Sequence, residues 1–286
     1  VASTDADPAV SWESTAVLGP AGHVPVRVFR PAAPTAGWLV WAHGGSWHGG
    51  SVDAWHDACA DLALRTGLTV ASVEYRLAPR HRHPAAIQDV LTVMHWAQGC
   101  LGTGGQLVVG GDSAGGTIAS CAALAWRDEH RRLAAQILAY PPLDPSCRAD
   151  SYGVNGQRFP SRAGLMAAWQ SYRGRDYERT AGSLYSTPLE ATDLSGVAPT
   201  VLAVGNLDPV LGDVREHARR LGQAGVTVRL REFAGLGHGA FRYPAAGDPP
   251  DPAVESFRGW LATALREVLP VPSTGGTAVT HAEDGS

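Results

Sequence analysis

The 286-residue sequence contains no lysine; all 23 of its basic residues are arginine. A Schiff-base lysine, a phosphate-loop lysine and a serine–lysine dyad are excluded together, so a nucleophilic serine here must take its base from histidine. Lysine-free usage rich in Ala, Gly and Arg also points to a high-GC bacterial genome. No apolar run approaches the roughly 20 residues that span a bilayer, and no membrane partner is expected. The first residues lack the charged-then-apolar pattern of a secretory leader. The chain is therefore expected to be cytoplasmic, while its start at Val1 leaves open a leader already removed. The net charge of −4 comes without a basic patch, which argues against nucleic acid as a partner. Cys59, Cys100, Cys121 and Cys147 lie far apart without metal-like spacing. Three fall in apolar or helical contexts, and they read as free thiols in a reducing compartment. There is no internal repeat, and nothing in the sequence sets an oligomeric state.

What is present is an alternation of short apolar runs and helical stretches. Thr15–Leu18 and Val24–Phe29 flank a Gly19-Pro20-Ala21-Gly22 turn and predict an antiparallel hairpin, after a loose polar arm over 1–12. Strands are expected at Trp38–Ala42, Leu68–Tyr75, Gln106–Val109, Gln136–Tyr140, Thr200–Gly205 and Val226–Phe233. Helices are expected over 52–65, 84–98, 114–126, 212–224 and 251–269. Two strands followed by strand–helix alternation predict an α/β fold, a mostly parallel eight-stranded sheet covered by helices on both faces. Residues 1–143 and 199–269 form the expected core. Between them, 144–198 suspends the alternation and reads as an insertion over the sheet edge, with a helix from Arg162 to Tyr172. Residues 270–286 are Gly-, Thr- and Pro-rich and are expected to be disordered.

Active sites in such sheets lie beyond the strand C-termini, and four Gly- or His-bearing loops end strands there. Gly111-Asp112-Ser113-Ala114-Gly115 stands where a strand turns into a helix, the context of a nucleophile elbow. Gly111 and Gly115 flank the serine where a Cβ would crowd the turn. The pentapeptide by itself is equally a glycine-rich turn. Its weight comes from the loops that share its end of the sheet.

A serine nucleophile needs a base, a group that orients the base, and donors for the oxyanion. Gly237-His238-Gly239 follows the last strand, and Asp208-Pro209 follows the strand before it. Taken singly, His238 is a solvated loop histidine and Asp208 a helix cap. Taken in the order Ser113, Asp208, His238, they form the candidate triad. His43-Gly44-Gly45-Ser46-Trp47 closes an earlier strand and supplies the candidate oxyanion loop, with donors at Gly45 and Ser46, Gly44 adjacent, and a third donor at Ala114. Trp47 and Trp169 are candidate pocket walls, although a buried tryptophan is more often core. His81 and His83 have metal-like spacing without an accompanying cysteine or carboxylate cluster, and no metal is assigned to them. Asp144 and Asp213 are set aside as triad acids, the first for its strand and the second for its place inside a helix.

His43-Gly44-Gly45, Glu74-Tyr75-Arg76-Leu77-Ala78-Pro79, Gly111-Asp112-Ser113-Ala114-Gly115-Gly116, Asp208-Pro209 and Gly237-His238-Gly239 together resemble the hormone-sensitive-lipase family of α/β-hydrolases, over roughly residues 38–265. The resemblance implies the α/β-hydrolase fold and a cofactor-free Ser-His-Asp carboxylesterase acting on small or short-acyl esters. Bacterial acetyl hydrolases that deacetylate natural products are among such proteins. Departures are Ser46 at the usual third loop glycine, Arg80 where an acidic residue commonly stands, and only about a dozen residues before the hairpin, too few for a helical N-terminal cap. A reduced cap formed by 144–198 alone is expected, and with it a preference for acetyl to butyryl esters. Two alternatives use the same residues. His43-Gly44-Gly45-Ser46-Trp47 is also similar to the oxyanion motif of arylformamidases, which gives an amide or formamide hydrolase. A binding protein on a hydrolase scaffold is the other, although such receptors typically lose the histidine that is present here.

Overall fold

The computed structural model describes residues 9–180, 182–242 and 251–270. Eight strands form one sheet: β1 (Val10–Gly19), β2 (Gly22–Pro31), β3 (Gly37–Ala42), β4 (Thr69–Val73), β5 (Gln106–Asp112), β6 (Ala135–Ala139), β7 (Thr200–Gly205) and β8 (Val228–Phe233). Their spatial order is β1-β2-β4-β3-β5-β6-β7-β8. β1 and β2 pair antiparallel, as do β2 and β4, and every later neighbour is parallel. The helices of the alternation are α1 (His56–Thr66), α2 (Ala85–Cys100) and α3 (Ala114–Asp128), then α6 (Leu211–Gln223) and α7 (Pro252–Val268) after the insertion. α1 packs with α7, and α2 with α3. β4, β6 and β7 are buried at every position, as strands covered on both faces must be.

The N-terminal reading needs correction. Residues 10–12, expected in a loose arm, belong to β1, with Val10 opposite Pro31 and Trp12 opposite Phe29. The pairing is supported by side chains distant in sequence: Arg27 lies over the Trp12 ring at 4.7 Å, and His56 meets the same ring edge-on at 5.1 Å. The first eight residues of the expected arm and 271–286 of the expected tail lie outside the described residues. The hairpin closes as expected between Gly19 and Gly22, where Gly22 takes φ +113°. Cys59, Cys121 and Cys147 are buried and Cys100 is exposed, all as free thiols.

Between β6 and β7 lie α4 (Ser151–Val154), α5 (Arg162–Arg173) and a 3-10 turn at Pro188–Glu190. The Ser161 hydroxyl caps α5 by accepting the Gly164 N–H, and Leu165, Ala168, Trp169 and Tyr172 form its buried stripe. The segment is anchored from below by Asp213 on α6. Its Oδ2 accepts the N–H groups of Leu143 and Asp144 at 2.8 and 2.9 Å and the Tyr152 hydroxyl at 2.7 Å.

Burial pushes the Asp213 carboxyl up to about 6, against the pull of those donors. Because folding raises this pKa, the native chain binds the proton more tightly than the unfolded chain. The resulting stability is complete below about pH 3.9 and is lost as pH rises through about 6. Asp213→Asn keeps an acceptor for the same donors and cannot ionise. The variant is expected to gain on the wild type by about 2–3 kcal/mol between pH 4 and pH 7, read by urea unfolding at each pH. A difference that stays flat across that range would mean the group is already ionised in the folded chain at acid pH.

Candidate active site

Four of the loops that project from the carboxyl ends of the parallel strands converge. Ser113 joins β5 to α3 with φ 51° and ψ −125°, a region in which residues other than glycine are strained. The strain is held by backbone on both sides. The Ser113 N–H donates to the Ala139 carbonyl of β6 at 2.9 Å, and the Ser113 carbonyl accepts from Gly116 and Thr117. The glycines are obligatory for close approach. A Cβ on Gly115 would stand 2.0 Å from the Ala42 carbonyl oxygen, and one on Gly111 would stand 2.4 Å from the Gly115 backbone.

The structure brings the three candidate triad residues into line. Ser113 Oγ lies 2.8 Å from His238 Nε2, and His238 Nδ1 lies 2.8 Å from Asp208 Oδ2. Asp208 is fully buried, and its other oxygen accepts the Val210 N–H at 3.0 Å. The acid and histidine loops are tied together independently of the triad: Asn206 Oδ1 accepts the Gly235 N–H, and the Leu207 N–H donates to the Leu236 carbonyl.

In the His43–Trp47 loop, Gly45 has φ +123°, Ser46 φ 55° and Trp47 φ 62°. Glycine at 45 is required, since a Cβ there would lie 2.1 Å from the Gly49 carbonyl oxygen. Gly44 plays a different part from its expected neighbourly one. Its N–H donates to Asp112 Oδ1 at 3.1 Å, so Gly44 anchors the loop and offers no free donor. Among the described residues, the N–H groups of Gly45, Ser46 and Ala114 have no acceptor. Ala114 opens α3, whose positive end faces the same point.

Three supporting residues were not legible as such in the sequence. Asp112, the variable position of the elbow pentapeptide, also accepts the Trp55 indole N–H at 2.8 Å. Burial raises its carboxyl to about 6. His43 is fully buried, and burial lowers its pKa to about 4, so the ring is neutral at pH 7. Its Nδ1–H donates to the Gly44 carbonyl at 2.7 Å, and its ring stacks on Tyr75 at 4.3 Å. Tyr140 follows β6, between the serine strand and the acid strand. Its hydroxyl accepts the Phe241 N–H at 2.9 Å, and its ring meets His238 edge-on at 4.8 Å.

Trp47 and Trp169 come together as the candidate pocket pair, with ring centroids 4.3 Å apart, and Trp47 stacks on Tyr172 at 4.9 Å. Both are at most 2% exposed, so they fill space behind the loop and expose little wall. The His81/His83 spacing does not make a metal site. His83 Nδ1 meets the Tyr172 hydroxyl at 3.3 Å and its Nε2 meets the Leu184 carbonyl at 3.1 Å, so both ring nitrogens are engaged. Among the described residues no group of three or more His, Cys, Asp or Glu side chains could hold a metal ion. None of the helices described is long and apolar enough to cross a membrane. Asp144 pairs with Arg148 and Asp213 anchors the insertion, which leaves Asp208 as the carboxylate that meets His238.

A family model described as the alpha/beta hydrolase fold matches residues 39–242. The chain is 35% identical over 237 residues to a carboxylic ester hydrolase, LipN, of Mycobacterium tuberculosis, covering 78% of this chain and 62% of that relative's length. It is 34% identical to an ethyl acetate hydrolase of Pseudomonas putida, covering 77% of this chain and 73% of the relative. Among solved structures, a bacterial heroin esterase superposes with a TM-score of 0.81 at 32% identity, covering 94% of this chain and 87% of the other. Strand order, elbow and relatives agree with the motifs read from the sequence, and the chain belongs to the α/β-hydrolase family, in its hormone-sensitive-lipase-like branch of ester hydrolases.

Proposed function

We propose that this chain is a serine carboxylesterase that cleaves short-acyl esters of small molecules through an acyl-enzyme. The observation that carries the reading is the line from Ser113 Oγ through His238 to Asp208 Oδ2, with both links at 2.8 Å. In this reading Ser113 Oγ attacks the ester carbonyl as His238 Nε2 takes its proton. Asp208 fixes the imidazole with its proton on Nδ1 and stabilises the imidazolium. The N–H groups of Gly45, Ser46 and Ala114 receive the oxyanion, each lowering the barrier by about 3 kcal/mol. His238 returns the proton to the departing alcohol, then deprotonates the water that releases the acid.

Residues 144–198 serve as the cap in this reading. Phe159, on that segment, is 71% exposed, and its ring lies 5.7 Å from that of His238. An alcohol group leaving past His238 therefore meets an aromatic face that is open to solvent, which suits a bulky leaving portion. The acyl side is argued from Trp47, Trp169 and Tyr172, which occupy the space behind the oxyanion loop. Each added methylene gains about 0.8 kcal/mol only while wall remains to bury it. The relative named for ethyl acetate supports the same size class. An acetyl group on a larger bacterial product fits these terms.

A p-nitrophenyl ester series from acetate to palmitate tests the reading. The expected maximum of kcat/KM falls between acetate and butyrate. A maximum at decanoate or longer overturns the short-acyl assignment, and no turnover across the series overturns the esterase.

A further inference from the structure

The turn that opens the insertion grips the loop that carries the triad acid. Ser151 Oγ donates to the Pro209 carbonyl at 2.7 Å and accepts the Gly212 N–H at 3.0 Å. Tyr152 reaches Asp213, as described above. Asn155, four residues after Ser151, is buried and donates from Nδ2 to two carbonyls of that loop, Asn206 O at 3.3 Å and Asp208 O at 3.2 Å. The two acceptors are the carbonyls of the residues on either side of Leu207, so one amide group bridges the 206–207 and 208–209 peptide units. Asn206 is also the residue whose side chain holds the histidine loop at Gly235. Among the described residues Asn155 thus hydrogen-bonds to neither Ser113 nor His238, yet it holds the backbone from which both Asp208 and the Asn206 tether of the histidine loop are suspended.

We propose that Asn155 is a positioning residue for the triad, setting the Asp208 carboxylate against His238 Nδ1 from the cap side. The proposal rests on the esterase reading above for its substrate assay. The physical reason is the tolerance of the arrangement: Asp208 must meet a ring nitrogen at 2.8 Å while also accepting from Val210. Its loop has no regular structure between the end of β7 and the start of α6. Without Asn155 the Asn206 and Asp208 carbonyls lose a shared donor, and the loop relaxes away from the insertion. A displacement of about 1 Å in such a group costs up to about 100-fold in rate.

Asn155→Ala is expected to lower kcat for p-nitrophenyl acetate by about 10- to 100-fold, with KM within about twofold. The decisive comparison is made in an Asp208→Asn background. If Asn155 acts through Asp208, the same substitution there changes kcat by less than about twofold. Asn155→Asp keeps the shape and replaces both donors by an acceptor, and it serves as the second variant if the alanine form does not fold. The rate of fluorophosphonate labelling at Ser113 gives a substrate-free reading and should fall in parallel. A wild-type chain that does not label overturns the hydrolase reading itself. A chain that labels equally fast with and without Asn155, or a full effect persisting in the Asp208→Asn background, overturns the role of Asn155 alone.

Discussion

Ser113→Ala is expected to reduce ester turnover by about six orders of magnitude while the chain stays cooperatively folded. Replacing Oγ by hydrogen removes the proposed nucleophile, and the proposed oxyanion donors would then have no covalent intermediate to hold. The elbow should survive, because its geometry is fixed by backbone: the Ser113 N–H bond to Ala139, the bonds from Gly116 and Thr117, and the contacts of Gly111 and Gly115. Among the described residues the side chain of Ser113 hydrogen-bonds to His238 alone. Two measurements check this together. Turnover of p-nitrophenyl acetate gives the rate, and intact-mass and peptide mapping after fluorophosphonate treatment locate the adduct. An adduct on another residue, or an alanine variant that keeps more than about a thousandth of the activity, would remove Ser113 from the mechanism.

The second large effect belongs to Asp208→Asn, with an expected loss of about four orders of magnitude in kcat. The size follows from which atoms face the carboxylate. Oδ1 accepts the Val210 N–H at 3.0 Å, and Oδ2 accepts from His238 Nδ1 at 2.8 Å. An asparagine in this place must put its carbonyl oxygen toward Val210, because an N–H cannot receive an N–H. Its amide nitrogen is then left facing Nδ1, which must become an acceptor. The imidazole proton moves to Nε2, the atom that faces Ser113 Oγ, and a protonated Nε2 cannot take the serine proton. The variant should show a collapsed kcat, a near-normal KM and slow fluorophosphonate labelling. A loss smaller than tenfold would mean that His238 keeps its tautomer without Asp208.

The candidate triad was more legible than its scaffolding. Ser113, Asp208 and His238 stood out because their neighbours are glycines, prolines and strand ends, and their order in the chain allows few arrangements on a parallel sheet. The architecture was legible for the same reason: β-branched runs alternate with alanine-rich ones, and the bounds of β7 match the sequence reading residue for residue. What was missed depends on contacts between residues far apart. Nothing local marks Asp112 as the acceptor of both Gly44 and Trp55, or Tyr140 as the support of the histidine loop. Gly44 reads as a neighbour of the oxyanion donors until Asp112 is seen to accept its N–H. Trp47 and Trp169 meet in space, but burial rather than hydrophobicity decides whether an indole lines a pocket, and theirs is nearly complete. Residues 10–12 were lost to a polar composition that β-pairing with 29–31 overrides.

The order of the strands divides the machinery unequally. Ser113 and the His43–Trp47 loop hang from β5 and β3, interior strands with partners on both sides, whereas the proposed base, His238, follows β8, which among the described residues pairs only with β7 at the margin of the sheet. Edge strands open at lower free energy than central ones. Fraying of that one ladder would withdraw His238 while the elbow, its helix and the oxyanion loop remained assembled. Heating would then stop turnover before the chain unfolds, leaving a folded species that keeps the proposed nucleophile and has lost the proposed base.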